Sequence, residues 1–243
     1  MPSRPTAYQV KRFLLYPRIL YGRFRHRGEA WTQVLDVTNY RKDIYRFIGD
    51  RMADPSLIHS PGRVGAGLIL DVGAFAGEWA TEVAERYPDA SIYAFELSPP
   101  TIDRLRSTLP EDGRIEVFPF GLAGSNRAES ISRMGAGSSI HRIERGDQTD
   151  TGTLRDVAEV WRELDLGQVS GMKINIEGGE YELLSRMAET GLLPKVDTYL
   201  IQFHEWMRGS HRMRREIRRE LTKTHRLTWD YRFIWERWDR IES

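Results

Sequence analysis

The chain has 243 residues, carries a net charge of +1 at neutral pH and contains no cysteine. It is long enough to bury one sizeable core, and it can form neither disulfides nor a thiolate metal site. The near-zero net charge argues against general binding of nucleic acid. No apolar run approaches the ~20 residues that span a bilayer, so we expect a cytoplasmic protein.

Residues 1–60 predict a helical extension that precedes a domain at 61–243. The first 27 residues are basic and aromatic. They predict a helix that packs on the domain or on a second copy in a homodimer, and weak contact with a membrane surface is the alternative. Residues 36–52 predict a further helix, and the Pro-, Gly- and Ser-rich residues 53–67 predict a loop.

A buried strand, a glycine turn and the start of a helix follow at 68–77, LILDVGAFAG. The turn has the spacing Asp-x-Gly-x-x-x-Gly, whereas a dinucleotide fingerprint needs Gly-x-Gly-x-x-Gly and a phosphate loop needs Gly-Lys-Ser/Thr. The next strand ends at Glu96, 19 residues after Gly77, near the spacing at which a carboxylate meets ribose hydroxyls. S-adenosylmethionine, an adenosine without phosphates, is the favoured cofactor. A dinucleotide and a turn without any ligand stay open.

Three motifs together resemble the FkbM-type family of class I methyltransferases. MKINIEGGEYELL at 172–184 is similar to the family's Lys-x-Asp-x-Glu-Gly-x-Glu signature, and YAFELSPP at 93–100 is similar to its Tyr-x-Phe-Glu-x-x-Pro strand. The glycine turn, with Ala74, resembles the family's Asp-x-Gly-Ala-x-x-Gly. Asn175 departs from the pattern because the family has aspartate there. The resemblance implies an S-adenosylmethionine-dependent O-methyltransferase that acts on a hydroxyl of a saccharide, glycoside or related small molecule.

Strands and helices alternate along the rest of the chain. Predicted strands lie at 68–72, 91–96, 114–118, 171–176 and 197–203, and predicted helices at 78–87, 99–108, 154–164, 180–189 and 210–224. This order predicts an α/β fold with a doubly wound, mostly parallel sheet. The class I methyltransferase resemblance implies seven strands, closed by a hairpin with a turn near Asp230. Residues 124–150 predict an irregular insertion that serves as a lid.

Ligands of open α/β sheets bind at the carboxyl ends of the strands. The candidate cofactor-binding residues are therefore Asp71, Gly73, Ala74, Phe75, Gly77, Glu96, Leu97, Gly121, Leu122 and Asn175. We expect the glycine turn to offer free backbone N–H groups to the carboxylate of the methionine moiety. Glu96 is expected to bind both ribose hydroxyls, while Gly121 and Leu122 flank the adenine.

A hydroxyl acceptor is a weak nucleophile and benefits from a base. The candidate catalytic residues are His204, Glu177 and Glu205. His204 is favoured because histidine ordinarily titrates near neutral pH, although a structural role at the strand end stays open. Glu180 is explained by charge stabilisation at a helix N-terminus. A divalent metal such as Mg²⁺ is possible at the same strand ends, but no ligand spacing assigns one.

Two features leave further functions open. Trp79, Trp161 and Trp206 are candidates for stacking on a sugar ring, with packing in the core as the simpler interpretation. The basic residues at 208–226 predict a solvated helix face first and a docking face for an anionic partner second. The alternatives to the favoured function are an RNA-binding methyltransferase and a cofactor-binding homologue without catalytic activity.

Overall fold

A computed structural model describes residues 30–60, 67–110, 113–132 and 149–242. The chain divides into two compact units, Met1–Lys42 and Asp43–Ser243. Helix α1 runs from Ala30 to Ala53, which is longer than the predicted 36–52. The helix predicted in the first 27 residues lies outside the described residues.

The second unit contains a seven-stranded sheet. Its strands in chain order are Leu68–Val72 (β1), Ser91–Phe95 (β2), Ile115–Phe118 (β3), Gly171–Ile174 (β7), Thr198–Ile201 (β8), His225–Tyr231 (β9) and Trp235–Arg240 (β10). The spatial order is β3-β2-β1-β7-β8-β10-β9, and among these seven strands β10 alone runs opposite to the other six. This arrangement confirms the predicted doubly wound, mostly parallel seven-stranded sheet of the Rossmann-like methyltransferase type.

Helices connect the parallel strands and lie against the sheet, as the alternation predicts. They are Glu78–Arg86 (α2), Pro99–Thr108 (α3), Val157–Glu163 (α4), Glu180–Glu189 (α5) and Ser210–Leu221 (α6), with a short 3₁₀ turn at Leu193–Lys195. The central strands are buried along almost their whole length, because helices cover both faces of a parallel sheet. Their carboxyl ends therefore lie along one edge of the sheet.

A second, three-stranded sheet corrects the prediction for residues 124–150. Gly121–Ala123 (β4), Arg127–Ser132 (β5) and Thr149–Asp156 (β6) form it in the order β4-β6-β5. The flanks of the predicted irregular insertion are thus strands, while its glycines Gly135 and Gly137 lie outside the described residues. The helix predicted at 154–164 begins only at Val157, because Asp156 caps it by accepting hydrogen bonds from the N–H groups of Ala158 and Glu159.

The tail forms the predicted hairpin, although its turn comes at 232–234, after Asp230. Two residues of the same unit that precede β1 contact this hairpin. The hydroxyl of Tyr231 donates to Asp50 Oδ2 at 2.7 Å, and the side chain of Arg237 donates to the Ser60 carbonyl at 2.9 Å. The domain boundary near residue 60 stays a prediction. Among the described helices, none combines the length and the apolar character that crossing a membrane requires.

Candidate functional site at the carboxyl ends of the strands

The glycine turn after β1 needs glycine at two positions. Gly73 and Gly77 have φ angles of +82° and +85°, in the left-handed region that side chains disfavour. A Cβ atom on Gly73 would lie 2.1 Å from the carbonyl oxygen of Asn175, which follows the neighbouring strand β7. One on Gly77 would lie 2.8 Å from side-chain carbons of Leu105 and Leu109. The turn is therefore packed tightly between the end of β7 and helix α3.

Four backbone N–H groups of this turn donate hydrogen bonds within the protein. Those of Gly73 and Ala74 donate to the Phe95 carbonyl, both at 3.0 Å, and that of Gly77 donates to the Ala74 carbonyl at 3.0 Å. The N–H of Phe75 donates to the carboxylate of Glu96 at 2.9 Å. These four N–H groups are therefore engaged within the protein, and the expectation that the turn offers donors to the methionine carboxylate stays a prediction for its other N–H groups. Ala74 itself is buried, and Phe75 has a strained φ of +51°.

Glu96 lies directly after β2 and is linked to the turn. Its Oε2 accepts from Phe75, and its Oε1 accepts from the N–H of Ser98 at 2.9 Å. Burial raises the pKa of Glu96, while the hydrogen bonds from Ser98 and Phe75 and the charge of Lys173 oppose the shift. A carboxylate has about four lone-pair sites, so capacity for a further donor remains beside Phe75, Ser98 and the backbone N–H of Leu97, which also lowers the pKa of Glu96.

Asp71 and Lys173 form an ion pair inside the sheet, on the neighbouring strands β1 and β7. The Lys173 ammonium lies 2.8 Å from Asp71 Oδ1, and it also donates to the Gly73 carbonyl at 2.7 Å. The Asp71 side chain is fully buried and that of Lys173 is 6% exposed. Lys173 thus neutralises Asp71 and ties the glycine turn to β7.

Two buried acceptor atoms at these strand ends have no hydrogen-bond partner among the described residues, namely Asp71 Oδ2 and Asn175 Oδ1. Buried polar atoms without a partner are uncommon in folded proteins and call for an explanation. Together with the Glu96 carboxylate, these atoms make the ends of β1, β2 and β7 rich in hydrogen-bond acceptors. This set suits a ligand that carries hydroxyl and ammonium donors, and it does not suit phosphate.

The three-stranded sheet encloses Leu97, the residue after Glu96. A Cβ atom on Gly152 would lie 2.5 Å from both Cδ1 and the carbonyl oxygen of Leu97, and one on Gly121 would lie 2.7 Å from Leu154 Cδ2 and 3.4 Å from Leu97 Cβ. Gly121 and Leu97 are half-buried, whereas Leu122 is buried. The structure therefore brings Leu97 and Gly121 together, with Leu122 packed into the core beside them.

Glu177 occupies a strained turn after β7. Its φ is +49° and that of the following Gly178 is +108°. The Gly178 N–H donates to Oε2 of Glu180 at 2.8 Å, which holds this turn from the first residue of α5. The Glu177 side chain is 19% exposed, whereas that of Glu180 is fully buried.

His204 lies after β8 between these two carboxylates. Its Nδ1 is 3.1 Å from Glu180 Oε1 and its Nε2 is 3.4 Å from Glu177 Oε2. Burial lowers the pKa of His204, but the two carboxylates outweigh burial and raise the pKa to about 10. A pKa this high favours the imidazolium form of His204 at pH 7, whereas the role of base predicted for His204 depends on an ordinary pKa near neutrality.

Glu205 and Trp206 follow on the same edge. Glu205 Oε1 is 3.3 Å from His211 Nε2, and the Glu205 carbonyl accepts from the Ser210 hydroxyl at 2.8 Å, so both contacts face α6. The half-buried Trp206 ring lies edge-on to the His204 ring, with centroids 6.2 Å apart. Trp79 and Trp161 are buried, which leaves Trp206 as the candidate for stacking on a sugar.

No group of three or more His, Cys, Asp or Glu side chains in the described parts of the chain is arranged to hold a metal ion. Two residues with polar contacts at the site were not among the predicted ones. Lys173 was missed, although a lysine within the apolar run MKI needs a buried partner. Glu180 was assigned to helix capping, although it contacts both Gly178 and His204. The sequence does not indicate its burial.

Comparison with known proteins gives partial matches. No protein-family model matches the chain. A segment of 83 residues, 34% of the chain, is 39% identical to the secondary metabolism regulator laeA of Monascus pilosus, and the match spans about a fifth (22%) of that relative. The FkbM resemblance therefore stays a resemblance.

Solved methyltransferase structures show a similar architecture at low identity. The fibrillarin of Aeropyrum pernix with bound S-adenosyl-L-methionine has a TM-score of 0.44 and 13% identity, over 76% of this chain and 70% of that one. The precorrin-6y C5,15-methyltransferase of Geobacter metallireducens has a TM-score of 0.42 and 12% identity, over 71% and 72%. Values this low assign no activity, so the fold assignment rests on the strand order of the sheet itself.

Proposed function

We propose that the protein is an S-adenosylmethionine-dependent methyltransferase that acts on a hydroxyl of a saccharide, glycoside or related small molecule. The observation that carries this proposal is the set of acceptors on Asp71, Glu96 and Asn175, at the adjoining ends of β1, β2 and β7. When bound, S-adenosylmethionine supplies an activated methyl group on a sulfonium sulfur. The residues of the chain supply binding, orientation and acceptance of a proton.

S-adenosylmethionine carries a hydrogen-bond donor for each of these acceptor groups. Glu96 would accept from the two ribose hydroxyls with the lone-pair capacity that its backbone donors leave. Asp71 Oδ2 and Asn175 Oδ1, which have no donor among the described residues, would accept from the ammonium group of the methionine moiety. Leu97, held beside Gly121, would contact the adenine. Gly73, Ala74, Phe75 and Gly77 then shape the turn, and Leu122 packs in the core beside Gly121.

The same acceptors argue against a dinucleotide. Phosphate binding needs free backbone N–H groups at a helix N-terminus. In this turn the N–H groups of Gly73, Ala74, Phe75 and Gly77 already donate within the protein, and a phosphate beside them would be repelled by the carboxylate of Glu96. An uncharged adenosine with a cationic tail fits the electrostatics better.

The substrate that receives the methyl group is suggested by an aromatic side chain at the same edge of the sheet. Trp206 offers an aromatic ring next to His204 at the edge where the cofactor would bind, and aromatic faces commonly pack against sugar rings. Together with the family resemblance, this supports a saccharide or glycoside hydroxyl. A screen with labelled methyl donor against mono-, oligo- and glycolipid acceptors, with and without Mg²⁺, tests the class.

An RNA acceptor is the second candidate, on one observation. Helix α6 exposes Arg212, Arg215 and Arg219 on one face. The acceptor screen should therefore include RNA, with binding measured across a salt series. Steep weakening of RNA binding with salt, together with methyl transfer to RNA, would replace the saccharide proposal.

Calorimetry of cofactor binding tests the cofactor half directly. We expect Glu96→Ala to weaken S-adenosylmethionine binding by about 100-fold or more, since two hydrogen bonds to a charged group are lost at ~1.5–3 kcal/mol each. Glu116→Ala, an exposed glutamate on β3, is the matched control and should bind normally. Unchanged affinity in Glu96→Ala would refute the ribose assignment.

A further inference from the structure

We propose that Glu180 is a positioning residue of the methyl-transfer site. It holds the ring of His204 in place, and Glu177 is then the group that takes the proton from the hydroxyl of the substrate. This inference rests on the proposed function. It assigns the role of base to Glu177 instead of His204. It also gives Glu180 a role in the site, because charge stabilisation at a helix N-terminus does not account for its contact with His204.

Glu180 joins the ends of two neighbouring strands through a single buried carboxylate. Its Oε2 accepts from the Gly178 N–H at 2.8 Å, in the turn after β7. Its Oε1 accepts from the His204 backbone N–H at 2.7 Å and lies 3.1 Å from Nδ1 of the same residue, after β8. A carboxylate that only stabilised a helix N-terminus would have no reason to be fully buried and to reach another strand.

The ring of His204 needs a proton on both nitrogens. Each nitrogen faces a carboxylate oxygen, and carboxylates only accept hydrogen bonds. A neutral imidazole has a single N–H, so one of the two contacts would place a lone pair against a negative charge. The imidazolium form satisfies both carboxylates, and the raised pKa of His204 agrees with this geometry.

The other groups near His204 do not change this assignment. The Tyr181 hydroxyl donates to the His204 carbonyl at 2.8 Å, and burial raises the pKa of this tyrosine, so it stays neutral. The Trp206 ring is uncharged, and Glu205 pairs with His211 on the side of α6. Among the described residues, the charges that face the ring are therefore those of Glu177 and Glu180.

Glu177 is the member of this cluster that a substrate can reach. Its side chain is 19% exposed, compared with 8% for His204 and none for Glu180. Its left-handed backbone conformation is costly for a residue with a side chain and persists where the surroundings enforce it. Two contacts hold Glu177 in this conformation. They are the hydrogen bond from the Gly178 N–H to Glu180 and the contact of the Glu177 carboxylate with the His204 ring.

Methyl transfer then needs no neutral histidine to take up the proton. The hydroxyl oxygen of the substrate would attack the methyl carbon of bound S-adenosylmethionine, so that a C–O bond forms while the C–S bond breaks and its electron pair moves to sulfur. The proton of the hydroxyl passes to the Glu177 carboxylate, which becomes neutral. The imidazolium of His204 keeps its proton and remains paired with Glu180.

Glu180→Gln tests the clamp because it keeps the shape and removes the charge. We expect the ring ¹⁵N signals of His204 in the wild type to show an imidazolium up to about pH 9, and Glu180→Gln to bring its titration towards neutral pH. Turnover should fall by at least tenfold, with cofactor affinity by calorimetry within about twofold. The pH–rate profile of the variant should gain a new limb near neutrality, which a purely structural role would not produce.

Glu189→Gln, on the exposed side of the same helix, is the control and should behave as the wild type. Should Glu180→Gln fail to fold, Glu177→Gln is the second test. It is expected to lower turnover by about 100-fold or more with His204 still an imidazolium. The proposal is overturned if wild-type His204 loses its proton near pH 6.5, if Glu180→Gln keeps wild-type turnover, or if Glu177→Gln does. Absence of cofactor binding in the wild type would instead refute the proposed function.

Discussion

The ammonium of Lys173 lies 2.8 Å from the carboxylate of Asp71, between the two central strands of the sheet. The pair also holds the Gly73 carbonyl, and therefore the start of the glycine turn. Burial of two charges is costly, and removal of one partner leaves the other without compensation. The pair thus links the stability of the sheet to the shape of the proposed cofactor site.

We expect Lys173→Met to lower the free energy of unfolding by ~3–5 kcal/mol, because Asp71 is left as an unpaired buried charge. The double variant Lys173→Met/Asp71→Asn should recover much of this loss, since neither charge then remains. Denaturation in urea measures both. Cofactor binding should stay weak in the double variant, because the Asp71 carboxylate and the tether to Gly73 are both gone. Full recovery of binding would limit the pair to a structural role.

Gly73 should not tolerate a side chain. In Gly73→Ala the new methyl group would overlap the Asn175 carbonyl oxygen at 2.1 Å, so either the turn or the end of β7 must move. Gly191→Ala is the matched control: its φ is +71°, and no described atom lies within 4 Å of the added carbon. We expect the control to lose about 1 kcal/mol from backbone strain, and Gly73→Ala to lose clearly more, together with cofactor binding. Equal losses in the two variants would contradict the packing argument.

Gly152 tests whether the three-stranded sheet positions the residue next to Glu96. A methyl group there would press on Leu97 at 2.5 Å, whereas Gly167 has no described atom within 4 Å of an added carbon. We expect Gly152→Ala to weaken cofactor binding by calorimetry, with Gly167→Ala unaffected. If both variants bind normally, this sheet is a scaffold that does not shape the site.

A buried ion pair fastens helix α6 to the closing hairpin. Arg214 Nε lies 2.5 Å from Glu236 Oε1, and the indole of Trp238 donates to the other oxygen of Glu236 at 2.9 Å. We expect Arg214→Met to destabilise the fold by ~3–5 kcal/mol, because Glu236 would remain buried and charged. Arg212→Met, on the exposed face of the same helix, is the control and should unfold as the wild type does.

The pH dependence of that loss has a definite sign. Burial raises the pKa of Glu236, and Arg214 opposes the shift. Without Arg214 the folded-state pKa rises further above the unfolded value. The folded protein then binds the proton more readily, and its stability increases as pH falls. The destabilisation by Arg214→Met should therefore be smaller at pH 5 than at pH 8, and a loss that grows on acidification would contradict this account.

Much of the main sheet could be predicted from the sequence because its parallel strands are short, mainly apolar runs, and β1 and β2 are followed at once by Gly73 and Glu96. β1 and the helices at 99–108 and 180–189 have the predicted bounds, and β2 ends one residue early. The three-stranded sheet could not be predicted in this way. Residues 149–156, TDTGTLRD, contain no apolar run, and their strand structure comes from pairing with residues 127–132 and 121–123.

The site was predicted less completely because its electrostatics depend on contacts between distant parts of the chain. The positions of Asp71 and Glu96 at the strand ends follow from their spacing. The ordinary pKa of histidine does not indicate that His204 lies between Glu177 and Glu180. Nor does spacing show that the N–H groups of the glycine turn are donated to Phe95 and Glu96. The sequence predicts a site with free backbone N–H donors and a histidine base. The structure instead presents mainly hydrogen-bond acceptors on carboxylate and amide side chains.

Calorimetric titration of the purified protein with S-adenosylmethionine, and with its demethylated thioether product, tests the central claim most directly. The acceptor-rich ends of β1, β2 and β7 predict saturable binding at one site per chain, lost in Glu96→Ala and kept in Glu116→Ala. A wild-type protein that releases no heat and shows no thermal shift with either compound would contradict the account.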